Sequence, residues 1–290
     1  LMMTEGELLV DKIELIERKA FNIRNDIVKT IIENGDGHAG PSLSCTDILA
    51  TLYFGVMKVD VNKPKWEKRD RLILSAGHKC LALYGTLIEK GFESERVLHS
   101  YNHLGTIVPG HPDMKKFRGV DFSSGALGHG LPIGCGMALD AKLKDHDSRV
   151  FVLMGDGEQG EGSNWEAAMF AAHHKLDNLV AIIDRNGLQI NGTTKEVLNS
   201  ADLAEKYKSF GWAVEIVDGH DVAAMLKVFE QTPAQAGKPT MVIANTVKSK
   251  GMSFAENNVK YHHWNPGKDS EEARQALEDL RSYQEAKGWS

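Results

Sequence analysis

Leu9, Ile13, Ile16, Ala20, Ile23, Ile27 and Ile31 recur at spacings of three and four, the period at which one face of an α-helix turns toward a core. The run predicts one long amphipathic helix that stops at Asn34–Gly35, where glycine can take the turn that closes a helix. A loop, DGHAGPSLS over 36–44, follows, and then an apolar segment from Asp47 to Met57 that predicts a second helix. Beyond it the period changes. Arg71–Leu74, Val150–Met154, Leu179–Ile183, Ala213–Val217 and Thr240–Ala244 are short, nearly continuous apolar runs, read as strands. Phe122–Gly136 is a small-residue turn leading into a helix, and Ser163–Leu176, Leu203–Phe210 and Val222–Gln231 are helical. Continuous apolar strands alternating with helices predict an α/β fold: a parallel sheet covered by helices on both faces. No internal repeat or low-complexity linker interrupts it. From Ser270 onward EEARQALEDLRSYQEA reads as a charged helix, so the expected division is a main domain over 1–270 and a C-terminal helical tail over 271–290.

Composition changes this picture little. With 290 residues, 42% of them hydrophobic, the chain can bury a large core. A formal net charge of −6 argues against binding nucleic-acid backbone, which needs a basic face. It does not argue against one diphosphate, because a metal can supply positive charge locally. Cys45, Cys80 and Cys135 are scattered and odd in number, giving neither a disulfide framework nor zinc spacing; a reducing, cytoplasmic compartment is expected. The start LMMTEGELLVDK lacks the basic and apolar blocks of a signal peptide. Phe122–Leu139, the longest uncharged stretch, is broken by glycines, a proline and a histidine and is not a membrane span.

The chemistry concentrates at two strand ends. In a parallel sheet ligands bind at the carboxyl ends of strands, and Gly155–Asp156–Gly157 and Asp184–Arg185–Asn186 both fall there. The glycines let the backbone approach a diphosphate closely, and N–H groups of the following turn point at it. Asp156 and Asn186 then offer oxygen ligands to a hard cation such as Mg²⁺ (Ca²⁺ or Mn²⁺ would serve), which completes its shell with phosphate oxygens and water.

With EGSNWEA between them, GDG and the later Asn resemble the thiamine-diphosphate motif of transketolases. GHAG (37–40), SAGH (75–78), GHPD (110–113) and GALGHG (125–130) match that family's histidine and glycine loops in order, and KGMSFAENNVKYHH (250–263) resembles its final histidine loop. The resemblance covers about residues 5 to 270. It implies a thiamine-diphosphate-binding fold and transfer of a two-carbon ketol unit from a ketose phosphate to an aldose phosphate, the pentose-phosphate type of glycolaldehyde transfer. By similarity Asp156, Asn186 and the carbonyl of Leu188 hold the metal. His38 and His111 contact substrate hydroxyls and the developing alkoxide, and His78 reaches the diphosphate. Gly125, Gly155 and Gly157 line the cofactor's path, and Leu127 packs beside its pyrimidine or is ordinary core. His262 matches the final histidine, although His263 stands where the family has glycine, so either could be the functional one. Ala39 likewise replaces the more usual proline after the first histidine.

Glu161 and Glu166 match carboxylates that in transketolases lie at the subunit interface and are proposed to link two active sites; Ser163-x-x-Glu166 equally reads as a capping box. His99, His103, His129, His173, His174 and His220 read as structural or surface. In the family, the glutamate that activates the aminopyrimidine lies in a second, pyrimidine-binding domain, and this chain stops at Ser290 before one. The expectation is therefore the N-terminal subunit of a split transketolase, joined to a separate pyrimidine-binding chain as an α2β2 heterotetramer. A related enzyme of the same cofactor class, acting on an unusual ketose or similar to 1-deoxyxylulose-5-phosphate synthase, is the alternative, and a non-catalytic homologue is the reading from another class.

Overall fold

The computed structural model describes residues 5–289; residues 1–4, part of the stretch read for a leader, and Ser290 lie outside them. The long helix α1 spans Glu5–Asn34. Ile16, Ala20, Ile23, Ile27 and Ile31 are buried as their spacing predicts and Ile13 is half-buried against the core, whereas Leu8, Leu9, Val10 and Leu15 stay exposed, so the inward stripe begins about one turn later than its pattern. Gly35 closes the helix with a positive φ and its N–H on Ile31 O at 2.8 Å.

The loop expected over 36–44 is in part a helix: α2 spans Ala39–Ser44. Pro41 falls in its first turn, where a missing N–H costs nothing. Next, α3 (Thr46–Thr51) runs into a single wide turn over Leu52–Val56, closed by Met57 N–H on Leu52 O at 2.7 Å. Pattern reading passes over α4 (Cys80–Lys90), because it is buried on nearly every side from Cys80 to Ile88 and shows no polar face to set a period.

Five strands, β1 (Arg71–Leu74), β2 (Val150–Gly155), β3 (Leu179–Arg185), β4 (Ala213–Asp218) and β5 (Thr240–Asn245), form one parallel sheet in the order β1-β2-β3-β5-β4. Between and beyond them come α5 (Gly130–Leu143), α6 (Gly162–His173), α7 (Thr194–Val197), α8 (Leu203–Ser209), α9 (Val222–Glu230) and α10 (Glu271–Ala286). Successive strand residues point to opposite faces, and the core divides accordingly. Phe151, Leu153, Val180 and Ile182 join residues of α1–α4, α9 and α10 on one side. Val152, Met154, Ala181 and Ile183 join α5, α6 and α8 on the other. Both faces are covered, which is why the strands read as unbroken apolar runs.

Residues of the tail helix α10 pack into the first of these cores through Ala276 and Leu280. The capping box expected at Ser163 is absent: α6 begins at Gly162, and Ser163 Oγ donates to Gly128 O at 2.8 Å. The GALGHG loop lies close enough to claim that hydroxyl. A capping box forms instead at Thr193–Glu196, ahead of α7. Among the described residues no helix is long and apolar enough to cross a membrane.

Candidate active site

A parallel sheet gathers its carboxyl ends on one edge, and there the chain builds a cavity of about 440 Å³. His38, His78, His111, His262, Leu127, Gly155, Asp156, Gly157, Glu161, Asn186 and Leu188 line it, brought together from segments as far apart as α2 and the loop before α10. Gly125 is not part of the lining; a side chain there would meet the ring of His111 at 3.8 Å. His263 and Glu166 also lie outside the lining.

The register sets Gly155 of β2 beside Asp184 of β3, and Asp156 and Asn186, just beyond, both reach the cavity floor. Asp156 is buried, its Oδ1 accepting Gly157 N–H at 2.9 Å and its Oδ2 accepting Gly187 N–H at 2.6 Å. Gly187 sits at φ +77°, a left-handed conformation that side chains rarely adopt. Asn186 Oδ1 accepts Leu188 N–H at 3.1 Å, while the Leu188 carbonyl accepts Lys248 Nζ at 3.2 Å.

Beneath this floor Asp184 forms a buried ion pair with Lys79 and also accepts from Ser44 Oγ at 2.5 Å and from Thr246 Oγ1. Burial pushes the Asp184 carboxyl up, but Lys79 together with the Ser44 and Thr246 hydroxyls outweighs it and holds the group below its ordinary range. Asp156 goes the other way: burial and then the charge of Asp184 push it up to about 6. It is a buried carboxylate whose oxygens meet only backbone N–H groups, an environment that a cation would relieve. Lys248, pushed down to about 8 by burial and then by Lys79, donates both to Leu188 and, at 2.9 Å, to His262 Nδ1.

The histidines form the opposite wall. Ring centroids of His38, His78 and His262 lie 5.3–5.6 Å apart, and His111 is 6.5 Å from His38. Burial pushes His38 down to about 4, helped by His263 and His111; it pushes His78 down to about 2, helped by Lys79; and it pushes His262 down to about 3, helped by Lys248. These three rings are neutral near pH 7. A neutral imidazole presents one donor and one acceptor, and a wall of them suits a ligand rich in hydroxyl groups.

Pattern reading missed Lys79, Glu158, Asp184 and Lys248. Glu158 ties the loops of the site together: it accepts Gly128 N–H at 2.9 Å, Gly155 N–H at 3.0 Å and the Ser75 hydroxyl. One signal for Asp184 was present, a charge closing an apolar strand, but Lys79 and Glu158 sit in short helical turns and Lys248 in a loop, where charge is ordinary. Among the described residues no three His, Cys, Asp or Glu side chains cluster to hold a metal. The oxygen donors at the floor are instead one carboxylate, one amide and one carbonyl.

Comparison with known proteins bears on what these groups hold. The family described as "Transketolase, thiamine diphosphate binding domain" matches residues 16–281. One of the named subunits of the apulose-4-phosphate transketolase of Phocaeicola vulgatus is 44% identical over 255 residues, 88% of this chain and 90% of that protein. The 6-deoxy-6-sulfo-D-fructose transketolase subunit SqwG of a Clostridium species is 41% identical over 86% of this chain and 90% of its own length. Among solved structures, transketolase from Campylobacter jejuni superposes with a TM-score of 0.85 at 27% identity, covering 96% of this chain and 43% of that one. The chain therefore spans under half of that transketolase and nearly all of the two subunits.

Proposed function

This chain belongs to the transketolase family as its thiamine diphosphate binding domain, and from that premise we propose that it is the diphosphate-holding subunit of a two-chain ketol transferase. The observation that carries the reading is the Asp156–Asn186–Leu188 floor and a wall of four histidines within one cavity. The floor fits a metal-bound diphosphate. Its donors are all hard oxygens, the set Mg²⁺ prefers. Too few for a closed metal site, they leave positions for phosphate oxygens. Asp156, short of positive charge, gains a counter-ion, and Lys79 and Lys248 add cationic charge beside it.

When bound, thiamine diphosphate supplies the carbon nucleophile and electron sink for moving a two-carbon unit. The chain's own residues bind, orient and exchange protons. In this reading Asp156, Asn186 and the Leu188 carbonyl hold the metal. Gly155 and Gly157 leave room for the diphosphate, with Gly125 and Leu127 on the cofactor's path, and His78 and His262 close the site around it. His38 and His111 hydrogen-bond substrate hydroxyls, and either can pass a proton to or from an oxygen at the reacting carbon. In this reading Glu161, on the lining, would reach a neighbouring protomer.

The relatives covered almost whole are named as subunits, which supports a separate chain carrying the pyrimidine-binding half, and an α2β2 assembly with it. A surface feature agrees: α5 and α6 leave Ile133, Met169 and Phe170 exposed on helices with few charges. The names of those relatives contain a phosphate and a sulfo sugar. We place this chain's substrate in the same class, a ketose with an anionic group remote from the carbonyl.

Calorimetry tests the site directly. Thiamine diphosphate with Mg²⁺ should bind the chain paired with its partner, and Asp156→Ala or Asn186→Ala should weaken binding by about 100-fold or more, at the upper end for metal-site losses. Unchanged affinity in both variants would refute the site.

A further inference from the structure

His263 occupies the place where the family pattern has glycine, lies outside the cavity lining, and is nonetheless flanked by partners on both ring nitrogens. Its Nε2 lies 3.2 Å from Asp36 Oδ1 and its Nδ1 lies 2.8 Å from Asn265 Oδ1. Asn265 Nδ2 donates to the same Asp36 oxygen at 2.7 Å, which fixes the amide so that oxygen, not nitrogen, faces His263. An acceptor thus lies beside each ring nitrogen: Nδ1 is within hydrogen-bond reach of the amide oxygen, and Nε2 lies next to the Asp36 carboxylate. The backbone reinforces the contact: Gly37 N–H donates to Trp264 O at 3.1 Å and Trp264 N–H to Gly37 O at 2.8 Å. Buried Trp264 is pinned in turn by its indole N–H on Glu272 Oε2 of α10 at 3.0 Å.

His38, by contrast, follows Gly37 at the start of α2 and makes no side-chain cap. Among the described residues no hydrogen bond within the protein holds its ring nitrogens. What bounds the ring is other rings, and the nearest is His263, edge-on at 83° with centroids 4.5 Å apart; His78, His262 and His111 are farther, at 5.4, 5.6 and 6.5 Å. A group that must meet a substrate within a fraction of an ångström needs its rotamer fixed by its surroundings.

We propose that Asp36, His263 and Asn265 form a clamp that positions His38, holding its ring so that its unbonded nitrogens stay free for substrate. The clamp touches neither cofactor floor nor substrate cavity, so its members are positioning residues. Its link to catalysis rests on the reading that His38 contacts substrate, and the test separates the two.

Ring signals of His38, assigned with His38→Asn, are followed by NMR in histidine-labelled chain without cofactor. The groups facing His38 are His78, His111, His262, His263, Asp36 and Lys248, and of the histidines His263 contributes most to holding its titration down. His263→Ala should broaden or shift the His38 signals and raise its titration midpoint. Asp36→Ala and Asn265→Ala should also disturb the ring signals, and Asp36→Asn, which keeps an acceptor oxygen, should restore them. If His263→Ala does not fold, Asn265→Ala at the exposed end of the clamp carries the same test. Unchanged His38 signals in folded Asn265→Ala and Asp36→Ala overturn the clamp. With the partner chain present, His263→Ala should lower kcat/KM for the ketose about tenfold through both KM and kcat, since His38 both binds and passes protons; unchanged KM and kcat beside disturbed His38 signals overturn the positioning role. A wild-type complex without ketol transfer would instead overturn the functional reading, while the NMR result still judges the clamp.

Discussion

Lys79 and Asp184 form an ion pair from which water is excluded, the lysine 2% exposed and the aspartate not at all. One follows β1 and the other stands near the end of β3, so the pair ties together two strands separated by β2. Removing one partner of such a pair strands a charge in the interior. Lys79→Met should therefore destabilise the chain by about 3–5 kcal/mol, read as a lower urea midpoint. Adding Asp184→Asn should recover part of that loss, because no bare charge then remains. A single variant costing under about 1 kcal/mol would show that solvent reaches the pair.

Lys248 should matter for binding more than for folding. Its ammonium is held by the Leu188 carbonyl and His262 Nδ1 beside the cavity floor. Lys248→Met keeps the length of the side chain and removes the charge and both bonds. Affinity for thiamine diphosphate with Mg²⁺ should fall about 10–100-fold, the range for groups that support a metal's direct ligands, with the thermal midpoint nearly unchanged. Calorimetry beside a melting curve separates the two effects.

The contrast between Asp156 and Lys248 shows what the sequence makes legible. Asp156 lies between two glycines directly after an apolar strand, so strand direction alone places it at the ligand edge. Lys248 lies in a polar loop among other charges, and only folding carries it across to Leu188. The same holds for α2, whose glycine, proline and serines look like a loop until burial of the whole segment makes a helix of it. The strands and the covering of both sheet faces follow from local pattern; the strand order, with β5 between β3 and β4, does not, and neither does the histidine wall, because His38, His78, His111 and His262 come from four separate segments. The wall was reached by resemblance.

Glu158 offers a test of how the loops are held. Its Oε1 accepts Gly128 N–H and the Ser75 hydroxyl, and its Oε2 accepts Gly155 N–H. At Gly128, φ is +79° and a side chain would meet Glu161 Cβ at 2.5 Å, so this turn has little freedom to find another partner. Glu158→Gln keeps one acceptor oxygen and replaces the other with an amide donor. An N–H then faces a donor, and the loss should be about 1–3 kcal/mol, the cost of an unsatisfied buried group. Hydrogen exchange should quicken first at Gly128 or Gly155; protection unchanged at both would remove Glu158 from this role.

Acid should destabilise the site through His78, whose titration burial and Lys79 push down to about 2. Unfolding restores it to an ordinary value near 6.5. Because the folded value is the lower one, the unfolded chain takes up the proton first, so the stability carried by neutral His78 is present above about pH 6.5 and is lost as pH falls toward the folded value. Between pH 7 and pH 5 the loss attributable to this one ring is about 2 kcal/mol. His78→Asn, neutral throughout, should lose less stability over that interval than the parent chain. Urea midpoints at the two pH values give the difference directly. Equal losses in parent and variant would mean that His78 is solvated enough to accept a proton in the folded state.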